Sequence, residues 1–95
     1  MTNEDIATAY ERSAALIEES GWCQYSSSNV HGQHCLTGAL YTVIPEPGAY
    51  LFPLVNMLHR EGRMAWSNPF ATRWNDNLPR KNGKRTVIRA LREWV

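Results

Sequence analysis

No apolar run in this chain approaches the ~20 residues that a membrane-spanning helix needs, so a bilayer is not expected as its solvent. The first ten residues, MTNEDIATAY, are acidic and polar where a secretory leader is basic and then apolar. The expectation is a cytoplasmic protein without membrane contact. Alternating polar and apolar positions over strand length are missing, as are repeats and low-complexity tracts. Cysteine is scarce, with only Cys23 and Cys35. Free thiols fit the expected compartment, although an even pair leaves one bridge open. A surplus of one charge is also missing: the net charge is +1, with 43% hydrophobic and 20% charged residues, far from the composition of a disordered chain.

Charge that is balanced in total is unbalanced along the chain. Residues 1–20 hold Glu4, Asp5, Glu11, Glu18 and Glu19 against Arg12, whereas residues 80–95 hold Arg80, Lys81, Lys84, Arg85, Arg89 and Arg92 against Glu93. The 95 residues suffice for one core and leave no room for a second, so residues 1–95 are read as a single domain.

Helical periodicity supplies the fold class. Thr2 and Asn3 ahead of Glu4 and Asp5 form a helix-start signal, and Ile6, Ala9, Tyr10, Ser13, Leu16 and Ile17 recur at helical spacing until Gly21. The Ser- and Asn-rich stretch after Trp22 reads as a loop. A second helix is expected from Cys35 to Val43, and Ile-Pro-Glu-Pro-Gly ends it. A third starts near Ala49, carries Leu51, Leu54, Val55 and Leu58 on one face, tolerates Pro53 in its first turn and closes at Gly62. Arg63 to Gly83 lacks a period but holds Trp66, Phe70, Trp74 and Leu78, too aromatic for a flexible linker. Lys84 to Trp94 is the last helix, with Val87, Ile88, Leu91, Trp94 and Val95 inward and Arg85, Arg89 and Arg92 outward. The architecture expected is all-α: a compact bundle of about four short helices with one long ordered aromatic-rich loop before the C-terminal helix. In that loop Trp74 acts as a core plug, while Asn75 and Asp76 supply acceptors for backbone amides of the turn that follows.

Several side-chain sets bear on chemistry. Cys23, His31, His34 and Cys35 have metal-ligand character, but adjacent His34 and Cys35 are poorly placed for one tetrahedral ion and no C-x2-C or H-x3-H clip is present. Cys35 at a helix start, with His31, His34 or His59 as base, has the outline of an activated thiol without an orienting third group or oxyanion site. Neither an enzyme nor a bound metal or cofactor is expected. The basic set Arg80, Lys81, Lys84, Arg85, Arg89 and Arg92 could track phosphates, and its bland alternative is a solvated face attracted to the acidic first helix. Exposed members of the set Tyr25, Tyr50, Trp66 and Phe70 would suit a protein partner, and core packing is the bland alternative for most of them.

Taken in order, Ser-Gly-Trp-Cys-Gln, His-Cys-Leu-Thr-Gly-Ala-Leu, Trp-Asn-Asp-Asn and Arg-Thr-Val-Ile-Arg-Ala-Leu-Arg-Glu-Trp-Val resemble a family of small uncharacterised proteins of actinobacteria and their bacteriophages. The resemblance spans most of the chain and rests on Gly21, Trp22 and Gln24, on Cys35, Gly38, Ala39 and Leu40, on Trp74, Asn75 and Asp76, and on Thr86. It departs from the family pattern in a longer, more basic spacer before Thr86. The resemblance implies a domain of unknown function in a phage or actinobacterial setting. The function expected is a non-enzymatic protein-interaction module acting on a host or phage protein or on a second copy of itself; nucleic-acid binding through the basic C-terminal loop and helix is the alternative.

Overall fold

The computed structural model describes residues 2–44, 48–64 and 71–94. Within them the chain forms α1 (Asn3–Ser20), α2 (Leu36–Val43), α3 (Gly48–Arg60), α4 (Ala71–Asn77) and α5 (Gly83–Glu93), with no strand longer than an isolated bridge. No described helix is long and apolar enough to cross a membrane.

The first helix begins where its capping chemistry puts it. Thr2 Oγ1 accepts from the Asp5 amide at 3.1 Å and the Asp5 carboxylate accepts from the Thr2 amide at 3.1 Å, a reciprocal box that satisfies two amides at the helix start. Those backbone and hydroxyl donors hold the Asp5 carboxyl below its ordinary value. At the other end Gly21 takes φ +101 and ψ 165, a conformation open to glycine alone, and turns the chain out of the helix.

Helix α1 packs against both α5 and α2, and α2 against α4. The core is built from Ile6, Tyr10, Ala14 and Ile17 of α1, Leu36, Ala39 and Leu40 of α2, Leu54 and Leu58 of α3, and Val87, Ala90 and Leu91 of α5. Each fully buried leucine in that set is worth roughly 1.5–3 kcal/mol relative to exposure.

Helix α3 is tied to α1 by one side chain. Pro53 falls in the second turn rather than the first, and removes the amide that would close on the Ala49 carbonyl. The Tyr10 hydroxyl reaches this weakened stretch. It donates to the Tyr50 carbonyl and accepts from the Leu54 amide at 3.1 Å, the two groups that one hydrogen bond joins in an uninterrupted helix. Burial pushes the Tyr10 phenol up to about 12 against the pull of that amide. Its ring meets Trp94 edge-on, centroids 5.4 Å apart.

Two expectations are corrected. The segment from Arg63 to Gly83 is not one long loop: Ala71–Asn77 forms α4, which makes five helices rather than about four among the described residues. The local reason is that Ala71, Trp74 and Asn75 are buried at i, i+3 and i+4, a face too short to stand out from the surrounding Pro, Asn and Gly. Trp74 is buried in the core as expected, but from a helix. Trp66, Phe70 and Val95 lie outside the described residues.

Candidate functional site

Asn75 is the polar centre of the molecule. It is fully buried on α4 and its side-chain amide works in both directions. Oδ1 accepts from Trp22 Nε1 at 2.7 Å and from the Leu36 amide at 3.0 Å. Nδ2 donates to the Cys23 carbonyl at 3.1 Å and to Asp76 Oδ1 at 3.1 Å. One carboxamide thus joins Trp22 and Cys23 of the loop that follows α1, the first amide of α2 and its own helix. The expectation that Asn75 and Asp76 serve the turn that follows is corrected: their partners lie about forty to fifty residues earlier in the chain.

Gln24 closes the same clasp from the loop side. Its Nε2 donates to the carbonyls of Asp76 at 2.9 Å and Leu78 at 2.8 Å, with Asn75 O farther off at 3.3 Å, and so serves carbonyls that the short α4 leaves open at its C-terminus. Cys35 caps α2: its Sγ accepts from the Gly38 amide at 3.3 Å. Two glycines permit the close approach. A β-carbon on Gly38 would lie 1.8 Å from the Ser27 carbonyl oxygen, and one on Gly83 would lie 2.2 Å from the Trp22 ring. Trp22, Gln24, Cys35, Asn75 and Asp76 are therefore brought together, with Gly83 at the start of α5 beneath Trp22.

The clasp shapes an exposed loop, residues 22–35. Parallel pairing of Trp22 with His34 and antiparallel pairing of Ser28 with His34 give it two rungs of backbone order. Near its start Tyr25 has φ +66, a left-handed conformation that costs a non-glycine residue about 1–2 kcal/mol. Asp76 Oδ1 accepts from the Tyr25 amide at 2.8 Å and helps hold that conformation. The side chain gains no burial from it, being 81% exposed, and Val30 on the same loop is 96% exposed. Tyr41 and Phe52 are exposed on α2 and α3.

The candidate metal and nucleophile residues are distributed as follows. Cys23 and Cys35 are both buried free thiols, His31 is exposed and His34 lies between. Among the described residues no group of three or more His, Cys, Asp or Glu side chains could hold a metal ion. Burial pushes both thiols up, most directly against the expectation that the start of α2 depresses Cys35; the Gly38 and Thr37 amides oppose this rise without overcoming it. The buried His34 Nδ1 and Thr37 Oγ1 have no hydrogen-bond partner among the described residues.

The basic set divides. Arg92 forks onto two carboxylates of α1, at 3.0 Å from Glu11 and 3.1 Å from Glu18, and these contacts hold Glu18 below its ordinary value while raising the arginine further. Arg89 faces Glu93 at 3.8 Å, and Lys84 Nζ donates to the Glu18 carbonyl at 3.3 Å. Arg80, Lys81 and Arg85 are exposed. Thr86 returns its hydroxyl to the Asn82 carbonyl at 2.9 Å in the first turn of α5. Of the basic set, Arg92 is thus the counterpart of the acidic first helix, with Lys84 on one of its carbonyls, and the family model for a family of unknown function, DUF6197, matches residues 1–94, both helices included.

The chain belongs to the DUF6197 family. No curated protein and no solved structure matches it significantly. Membership of DUF6197 carries no activity, so function rests on the geometry of the clasp and the loop it holds. The roles of Asn75 and Tyr25 have no local signature, because each depends on a partner about fifty residues away in sequence.

Proposed function

We propose that this chain is a non-enzymatic protein-interaction module whose recognition face is the 22–35 loop, presenting Tyr25 and Val30 to a protein partner. The single observation that carries the reading is Tyr25: a strained backbone holds an aromatic ring in solvent, anchored from behind by Asp76. Local strain without a packing return is a feature of binding sites, and tyrosine is a frequent anchor of interfaces because it offers a large rigid surface with one polar end. The resemblance to proteins of actinobacteria and their phages makes a host or phage protein in the cytoplasm the proposed partner, with a second copy of the chain as the simplest case.

The second reading, nucleic-acid binding through Arg80, Lys81, Lys84, Arg85, Arg89 and Arg92, is favoured by the exposure of Arg80, Lys81 and Arg85. It is weakened by the engagement of Arg92 with Glu11 and Glu18. One experiment separates the two. Tagged native protein and a Tyr25→Gly variant are used to capture material from an actinobacterial lysate, with and without nuclease. A protein retained after nuclease by the native chain and lost with Tyr25→Gly supports the loop. Retention that vanishes with nuclease and is indifferent to Tyr25 moves the function to the basic residues.

A further inference from the structure

We infer that Cys23 and Cys35 form a dithiol that closes, within the folded protein, to an intramolecular disulfide by exchange with a small disulfide. The argument starts from register. The His34 amide donates to the Gly21 carbonyl at 3.0 Å and the Cys23 amide to the His34 carbonyl at 3.1 Å, which is the hydrogen-bond pattern of a parallel rung between Trp22 and His34. Cys23 and Cys35 each follow that rung by one residue. Parallel segments run ~4.8 Å apart and successive side chains alternate faces, so residues in this register stand side by side on one face. That spacing lies inside the ~4.4–6.8 Å between α-carbons that a disulfide bridges.

The surroundings agree. Cys35 and Asp76 line one cavity, and Cys35 adds to the upward push on the Cys23 thiol, as two neighbouring groups of like charge do. The Cys23 sulfur contacts the carbonyls of Ser26 and Gln33, inside the loop whose far end is Cys35. A cavity of about 190 Å³ lined by Tyr25, Ser26, Ser27, Cys35, Thr72 and Asp76 opens on the Cys35 side of the pair and offers an entry route. Cys35 is the attacking group of this pair: amides of Gly38 and Thr37 point at its sulfur and favour the thiolate whenever the proton leaves.

With oxidised glutathione as the small disulfide, the steps balance. Cys35 releases its proton to solvent and attacks one glutathione sulfur; the glutathione S–S bond breaks, a Cys35–glutathione bond forms, and one glutathione leaves as a thiolate that takes up a proton. Cys23 then releases its proton and attacks the Cys35 sulfur, forming the internal S–S bond and expelling the second glutathione, which is protonated in turn. Two electrons pass from the protein to the glutathione disulfide, which ends as two thiols. Because the bond closes the segment that carries Tyr25 and Val30, oxidation fixes the shape of that loop.

The test is equilibration of the folded full chain with oxidised glutathione, acid quenching, alkylation under denaturing conditions and mass analysis of the intact protein. The result expected is a monomer lighter by two hydrogen atoms, with no alkylated thiol and no glutathione adduct, and with a higher melting midpoint than the reduced protein. In Cys23→Ala, the same treatment leaves a glutathione adduct at Cys35. Should that variant fail to fold by circular dichroism, the native chain alone decides. Two alkylated thiols at equilibrium, a stable glutathione adduct on the native protein, disulfide-linked dimers, or closure only in denaturant would each overturn the inference.

Discussion

The seam between α1 and α5 and the clasp around Asn75 hold the same small molecule together by different means. The seam is an apolar interface roofed by exposed ion pairs: Arg92 spans Glu11 and Glu18, yet all three side chains are at least a third exposed. Exposed pairs of this kind are worth ~0–1 kcal/mol, because water already solvates the separate charges. The clasp inverts that arrangement. Its charges are few, its hydrogen bonds are short, and its central group is fully buried. Stability in the seam is spread over interchangeable hydrocarbon, whereas in the clasp it is concentrated in one side chain whose isostere, aspartate, lacks the donors it uses. The seam can absorb a substitution that the clasp cannot.

The largest test of that contrast is Asn75→Ala. Removing the carboxamide leaves the Leu36 amide and the Trp22 indole without their acceptor, each at a cost of ~1–3 kcal/mol, so the variant is expected to lose about 3–4 kcal/mol in denaturant unfolding. A loss below ~1 kcal/mol would reduce the clasp to an ordinary surface network.

Next in size is Tyr10→Phe, which keeps the ring in the core and removes the hydroxyl from the α3 backbone. The expected loss is ~1–2 kcal/mol. The phenol also has a pH signature. Its folded value is raised to about 12 from an ordinary ~10, so its contribution is complete below pH ~10 and is lost as pH rises toward 12. Urea midpoints measured across that window should fall more steeply in the native protein than in Tyr10→Phe; parallel curves would place Tyr10 outside the core hydrogen bond.

Tyr25→Gly sharpens the comparison from the opposite side. Relief of left-handed strain and the entropy cost of glycine nearly cancel, so stability should stay within about 1 kcal/mol although a large aromatic ring is lost. A melting temperature several degrees lower would show that the ring packs somewhere, which contradicts its presentation to a partner.

Arg92→Gln is the smallest effect. It should cost less than ~1 kcal/mol at low ionic strength and almost nothing at 1 M salt, where screening acts within ~3 Å. A salt-independent loss would mean that the arginine stem, rather than its charge, supports the seam.

The sequence disclosed the seam far better than the clasp. Apolar residues at i, i+3, i+4 and i+7 announced α1, α2, α3 and α5, with the ends of α1 fixed by Thr2 and Gly21. Helix α4 escaped because its buried face is Ala71, Trp74 and Asn75, one residue of which is polar. Trp74 was legible as a plug because a tryptophan among turn-formers has little other use. Asn75 was misassigned to its own turn because local hydrogen bonding is the ordinary habit of asparagine, and nothing short of the fold places Trp22 and Leu36 beside it. The conformation of Tyr25 has the same character: backbone strain is a product of tertiary contacts, here the Asp76 carboxylate, and leaves no composition signal.

The central claim is that α4 holds the 22–35 loop in one shape through Asn75 and Asp76. Amide hydrogen exchange at Tyr25 and Leu36, followed by NMR in the native protein and in Asn75→Ala, tests it most directly. The account predicts that both amides are protected in the native protein and exchange much faster in the variant, while the amides of α1 facing α5 change little. A Tyr25 amide that exchanges at the rate of a free loop in the native protein would contradict it.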